Sequence, residues 1–251
     1  MRYLFVGDTH GSKDLDKLCR ALPSLQLTPR DVLIHCGDFG APWASDDDET
    51  LRWWQALTCK KIICLGNHEN YGWIRRQPVV RRFGCRGYDL GGGLFAPLAG
   101  QIARIGGRSF WFYPGGFSVD FLLRKPGYNV FQEELTPALQ ARAALNKLLR
   151  HGPVDYVISH DGPRQHVMQR FGFPLGLPPS LYWQHLNQPA DSRTHPAFLL
   201  DQVYARPDLY GRWYFGHHHR DDAVGKLRCL WQHMVLEDGL TGQAQLIEPS
   251  A

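Results

Sequence analysis

Ile62-Ile63-Cys64-Leu65-Gly66-Asn67-His68-Glu69 drives a short apolar run straight into an amide, an imidazole and a carboxylate. A continuous apolar run this short reads as a strand, and polar groups at its exit read as chemistry carried on a rigid base. Four other places repeat the arrangement. Tyr3-Leu4-Phe5-Val6-Gly7 runs into Asp8 and His10, and Val32-Leu33-Ile34-His35-Cys36-Gly37 runs into Asp38. Tyr156-Val157-Ile158-Ser159 ends at His160, and Trp213-Tyr214-Phe215-Gly216 ends at His217 and His219.

With 251 residues and 43% hydrophobic content, the chain is long enough to bury a large core. One domain spanning 1–251 is expected, with irregular insertions at about 84–131 and 171–197 shaping a substrate pocket. The net charge of +4 is the small excess of 28 basic over 24 acidic residues, so charge alone does not indicate a nucleic-acid partner. Basic residues bunch at Arg75-Arg76 and Arg81-Arg82, a pattern that suits an anionic substrate or a solvated face. The six cysteines include no C-x-x-C pair, and Cys36 and Cys64 lie inside apolar strands, as in a reducing compartment. The first strand begins at once and no apolar stretch is long enough to span a bilayer, so a cytoplasmic protein with no membrane partner is expected. The sequence does not give the oligomeric state.

Along the chain, Ser12 is placed to cap a helix with Leu15, Leu18, Cys19 and Leu22 on one face, ended by Pro23. Asp46-Asp47-Asp48-Glu49 fits the first turn of a helix carrying Leu51, Trp53, Trp54 and Leu57, where negative charge meets the positive end of the helix dipole. A helical segment is expected over Trp73–Phe83, interrupted by Pro78. Glycine-punctuated short strands follow, with Gly106-Gly107 as a hairpin turn. Gly115 to Glu133, including Ser118, Asp120 and Arg124, has no clear period. Thr136-Pro137 opens a helix to about Leu149 with Thr136 as its cap. Pro174, Pro178, Pro179, Pro189 and Pro196 crowd 171–197. His195–Arg206 is expected to be helical, and Lys226–Gln232 reads as a closing strand.

In open α/β sheets, functional groups gather beyond the carboxyl ends of the strands, where several loops converge. The five tips therefore meet, pooling Asp8, His10, Asp38, Asn67, His68, His160, His217 and His219. This mix of carboxylate, imidazole and amide without thiolate suits Mn²⁺, Fe or Zn²⁺, and so many donors suit two ions better than one.

Asp8-Thr9-His10, Gly37-Asp38, Gly66-Asn67-His68-Glu69, Ser159-His160 and Gly216-His217-His218-His219, in that order, resemble the signature of the calcineurin-like metallophosphoesterase superfamily. The resemblance implies a four-layer α/β/β/α sandwich with a dimetal site at the strand C-terminal ends. It implies Asp8, His10, Asp38 and His219 on one metal and Asp38, Asn67, His160 and His217 on the other, Asp38 bridging. Two ions about 3.5 to 4 Å apart would carry a bridging hydroxide that attacks phosphorus. Mn²⁺ is the first expectation. His68, left unligated, would protonate the leaving oxygen or stabilise the phosphoryl oxygens, held by an acid that the sequence does not identify. Glu69 reads as a supporting residue, and His218, by alternation, as pointing away from the metals.

The chain departs from the protein phosphatases of that superfamily. Asp38 is followed by Phe39-Gly40-Ala41-Pro42, so their phosphate-clamping Asp-Arg-Gly element is missing, and Arg75, Arg76 and Arg124 are the candidate replacements. Ser159-His160-Asp161-Gly162-Pro163 and the loop from Gly115 to Arg124 look similar to small phage and bacterial members. The expected function is a phosphatase acting on monoesters or phosphoproteins, a metal-dependent hydrolase whose partner is a phosphorylated substrate. The alternatives are a phosphodiesterase or nuclease of the same superfamily and a catalytically inactive metal-binding scaffold.

Overall fold

The computed structural model describes residues 1–43, 48–172, 184–185 and 193–249. The amino-terminal half alternates strand and helix: β1 (Arg2–Val6), α1 (Asp16–Leu25), β2 (Val32–His35), α2 (Glu49–Ala56), β3 (Lys60–Ile63) and the single turn α3 (Tyr71–Ile74). Five strands then run almost without break: β4 (Val79–Arg82), β5 (Cys85–Asp89), β6 (Leu94–Pro97), β7 (Gln101–Ile105) and β8 (Arg108–Tyr113). After the short β9 (Thr136–Pro137) come α4 (Ala138–His151), β10 (Val154–Ser159), α5 (Arg164–Phe171), β11 (Arg193–Thr194) and α6 (Pro196–Tyr204). The chain closes with β12 (Tyr210–Phe215), β13 (Asp222–Val224), β14 (Leu227–Cys229), β15 (Met234–Asp238) and β16 (Ala244–Ile247).

Among the described residues the strands form an eight-stranded sheet, ordered β16-β15-β1-β2-β3-β6-β5-β4, a six-stranded one, ordered β13-β14-β12-β10-β8-β7, and the separate pair β11-β9. Strand alternation makes this a four-layer sandwich. Tyr3 and Phe5 of β1 join Ile34, Ile62, Phe110, Phe112, Tyr156 and Tyr214 in the layer between the sheets. Leu4 and Val6, pointing the other way, pack with Leu18, Leu33, Trp54 and Ile63 under α1 and α2. Trp111, Val157 and Trp213 pack on the outer face of the second sheet with Leu148 of α4 and Leu200 of α6. Strands buried on both faces must be apolar throughout, which explains the unbroken runs seen in the sequence. β1, β2 and β3 are parallel in one sheet, and β8, β10 and β12 in the other, so their carboxyl ends gather at one edge of the sandwich.

Several local expectations fail for identifiable reasons. Residues 85–113 are not an irregular insertion: the short strands expected there join both sheets, and Gly106-Gly107, with φ of 58° and 85°, makes the expected two-residue turn from β7 to β8. The segment 73–83 is not a helix. α3 stops after one turn, and beyond Pro78 the β-branched Val79-Val80 pair as an edge strand. Pro23 sits inside α1, which ends at Gln26 in the left-handed conformation. Thr136 does not cap α4, because it pairs in β9 and Pro137 precedes the helix. Asp48 does cap α2, accepting from Leu51 N at 2.8 Å, while Asp46 and Asp47 lie outside the described residues. So does most of the expected insertion at 171–197.

Candidate metal centre

Each donor leaves its strand through a tight turn. Asp8, His10, Asp38, His217 and His219 all have φ between 46° and 70°, a left-handed conformation that costs a side-chain-bearing residue about 1 kcal/mol or more. Glycines give these turns room. A Cβ at Gly66 would fall on Asp38 Oδ1, and one at Gly216 would lie 2.5 Å from Asp8 Oδ2. Lys17 holds the end of β1 from below, donating to the carbonyls of Gly7 (2.5 Å) and Asp8 (2.9 Å).

The turns bring together two groups of donor atoms that share Asp38. One is Asp8, His10, Asp38 and His219, and the other contains Asp38, His160 and His217. The two oxygens of Asp38 divide between them: Oδ2 lies 3.1 Å from His10 Nε2, and Oδ1 lies 3.1 Å from His160 Nε2. His219 Nε2 is 3.3 Å from His10 Nε2, and Asn67 Oδ1 is 2.8 Å from His160 Nε2. The first group is the more open, with His10 half-buried and His219 exposed, whereas Asn67 and His160 are buried. Lone pairs converge here with few hydrogens between them, which is the donor chemistry of a cation site. The local field agrees. Burial works to raise the Asp38 carboxyl, but His160 and His68 nearby, with hydrogen bonds from His10 and His160, hold it well below its ordinary value. Burial works to lower His160, yet Asp38 and Asp8 pull it up to about 10. Burial raises the Asp8 carboxyl to about 6.

In His10, His160 and Asn67 the remaining ring or amide atom is fixed from behind. His10 Nδ1 meets Asp14 Oδ2 at 2.8 Å, and His160 Nδ1 meets the Cys36 carbonyl at 2.9 Å. Such partners set the ring orientation and leave the other nitrogen facing the centre. Asn67 Nδ2 donates to Ser118 Oγ at 2.9 Å, and Ser118 donates to the buried Glu134 at 2.6 Å. This relay turns the Asn67 carbonyl oxygen toward His160. Glu69, also fully buried, accepts from the backbone N–H groups of Phe39 (3.0 Å), Gly40 (2.9 Å) and Gly66 (3.0 Å), tying the turn after β2 to the turn after β3. The part played by Ser118, and Glu134 altogether, could not be read from the sequence because both lie in an aperiodic stretch. Asp14, four residues after His10, was the one backing group with a readable spacing.

His68 stands beside the donors, its backbone N–H on Asp38 Oδ1 at 2.7 Å. Its ring faces Arg124, whose Nη2 lies 2.5 Å from Nε2 and 3.3 Å from Nδ1. Arg124 is itself held by Asp120 at 2.8 Å and the Asn129 carbonyl at 3.3 Å. Burial, with further help from Arg124 and His10, pushes the His68 imidazole down to about 4. A cavity of about 550 Å³ opens over Asp38, Asn67, His68 and His217 toward Arg124 and Arg164. A second, of about 350 Å³, lies on the other side of His68 and is bordered by His10, Ser12, Trp43 and Asp48. His218 lines the first cavity and bonds Asp161 at 3.0 Å. Arg75 and Arg76 are not brought to either cavity. They fall past the end of α3 on the exposed side, and Arg75 faces Glu133 at 3.5 Å.

A sequence model of the calcineurin-like phosphoesterase family matches residues 1–221. No curated protein matches the chain. One solved structure aligns over 99% of both chains at 11% identity with a TM-score of 0.57. A protein of Thermus thermophilus aligns over 99% of both chains at 10% identity with a TM-score of 0.52. A structure described as that of a novel archaeal phosphodiesterase covers 98% of this chain and 99% of its own at 12% identity. Its TM-score of 0.42 is too low for that description to bear on this chain. At these identities the likeness is one of fold. No helix among the described residues is long and apolar enough to cross a membrane.

Proposed function

The chain belongs to the calcineurin-like phosphoesterase family, and from that premise we propose that it hydrolyses phosphate monoesters, including those carried on proteins. The observation that supports metal-dependent phosphoester hydrolysis is the division of the two Asp38 oxygens between two donor groups. Asp8, His10, Asp38 and His219 would hold one divalent ion, and Asp38, Asn67, His160 and His217 the other. When bound, two such ions, Mn²⁺ in first place with Fe and Zn²⁺ as alternatives, act as Lewis acids on the phosphoryl oxygens and make water nucleophilic at neutral pH.

The rest of the work falls to the chain's own groups. Arg124, directed into the cavity by Asp120, takes the place of the missing clamp and binds the phosphoryl oxygens. His68 is a neutral ring while Arg124 faces it. A phosphoryl dianion that draws the guanidinium to itself replaces a positive neighbour of His68 with a negative one. That change raises the affinity of the ring for a proton and prepares it to protonate the leaving oxygen. Glu134 and Ser118 keep Asn67 from turning its amide nitrogen toward the centre.

A second reading, phosphodiester hydrolysis, draws on the cavity beyond His68, which leaves room for a second substituent on phosphorus. Turnover of an aryl phosphate, an aryl diester, a phosphopeptide and a cyclic nucleotide, each with Mn²⁺ and with chelator, separates the readings. Monoester turnover abolished by chelator is expected. Faster turnover of the diester than of the monoester would overturn the first reading, and no turnover of any substrate with two metals bound would overturn both.

A further inference from the structure

We propose that the larger cavity selects phosphate esters whose leaving group is apolar near phosphorus and carries a second anionic group at its far end, received by Arg164. This rests on the reading above, in which the phosphoryl group sits over the Asp38 donors.

The cavity, at about 550 Å³, is of the size that takes a whole small-molecule ligand and not a phosphate alone. Leaving the donors, its wall is made by Phe117, Val167 and Ala197, side chains that are nearly wholly buried and yet border the space. The Phe117 ring is stacked on His195, with centroids 5.0 Å apart and planes 12° apart, so that side of the wall is rigid. An apolar body loses little by leaving water for such a wall, whereas a polyol would lose hydrogen bonds there.

Beyond it stands Arg164, the first residue of α5 and half-buried. Its guanidinium lies over the ring of Phe198, 5.4 Å from the centroid. Among the described residues that guanidinium makes no ion pair and no hydrogen bond. The nearby carboxylates form no ion pair with it: Asp161 accepts from Gly162 N (2.7 Å) and His218 Nε2 (3.0 Å), and Asp201, which feels the Arg164 charge only at longer range, accepts from Gln165 N (2.9 Å). Arg124, which also lines the cavity, is by contrast engaged by Asp120, Asn129 and His68. A guanidinium resting on an aromatic face keeps its N–H edge open, and that planar fork matches a carboxylate or phosphate. With metal held by the Asp38 donors, the cavity would therefore offer a phosphate site, an apolar wall and a cationic group in one space.

Two kinds of phosphonate that cannot be hydrolysed test this by calorimetry on the Mn²⁺-loaded protein: benzylphosphonate, and a series carrying a carboxylate at the ring's 4-position directly or through one or two methylenes. At least one carboxylated member is expected to bind about tenfold more tightly than benzylphosphonate, the size of effect a charged hydrogen-bonded pair gives. In Arg164→Ala that preference disappears while benzylphosphonate binds as before, and Arg164→Lys keeps part of it. Turnover of the matching aryl phosphates should show the same loss of preference in kcat/KM. Equal binding of the whole series by the wild-type protein, or a preference that survives in Arg164→Ala, would overturn the assignment. Failure of the underlying reading looks different: benzylphosphonate itself would not bind and no aryl phosphate would turn over, which overturns both.

Discussion

The strand tips and the loop from 114 to 135 face each other across one cavity, and they are built in opposite ways. On the tip side, every donor lies within a few residues of a strand anchored in a two-sheet core. Most are held in left-handed backbone that the neighbouring turns enforce. The loop side has only a single 3₁₀ turn, Phe121–Leu123, ahead of a second at Gln132–Glu134 where it rejoins the core. It is kept in place by side chains: Glu134 receives Ser118 Oγ and Phe131 N, and Asp120 holds Arg124. The tip side offers atoms that must not move if a cation is to be held. The loop side offers a guanidinium that must change partners during a reaction.

The comparison is broken most severely at its shared point. Asp38→Asn is expected to lose both metals and at least about 10³-fold of the turnover, measured as metal content after gel filtration together with kcat, since both donor groups include this carboxylate. His68→Ala is expected to keep both metals and lose about 10²- to 10³-fold in rate, the loss growing as the leaving group becomes more basic. An empty centre in that variant would make His68 one of the metal donors. Arg124→Ala should also retain its metals while kcat/KM falls about 10²-fold, read from steady-state kinetics with an aryl phosphate. Glu134→Gln crosses the division from the loop to the tips. It is expected to weaken one metal equivalent about tenfold in a chelator titration while leaving the other unchanged, because Asn67 belongs to one group only. The smallest effect is Arg75→Ala, whose exposed pair with Glu133 spans 3.5 Å. Activity should stay within about twofold and stability within about 0.5 kcal/mol by chemical denaturation.

The same division decides what could be read from the chain. Asp8, His10, Asp38, Asn67, His160, His217 and His219 were readable because each follows a short apolar run of strand length. Glu69 was visible as a neighbour of the donors, but its three backbone partners were not, since they lie on two different turns. Arg124 could be named only as one of three arginines. Which of them reaches His68 depends on how an aperiodic loop packs. Thr136 carried a helix-capping signal that pairing in β9 overrode. The strands β15 and β16 were not anticipated at all. β15 lies antiparallel against β1, and nothing in its own pattern says which edge it joins.

While the four layers were implied by the family resemblance, the sequence by itself determined an α/β chain, the order of the five motif strands and the side chains at their ends. Those follow from local rules: which residues can be buried on both faces of a sheet, and which turns require glycine. Only the tertiary structure decided that the two oxygens of Asp38 serve different groups, that Glu134 acts through Ser118 on Asn67, and that Arg124 and Arg164 border one cavity. Those relations join residues far apart in the chain. They are fixed by the packing of loops between two sheets, where hydrogen bonds and excluded volume, rather than periodicity, select the arrangement.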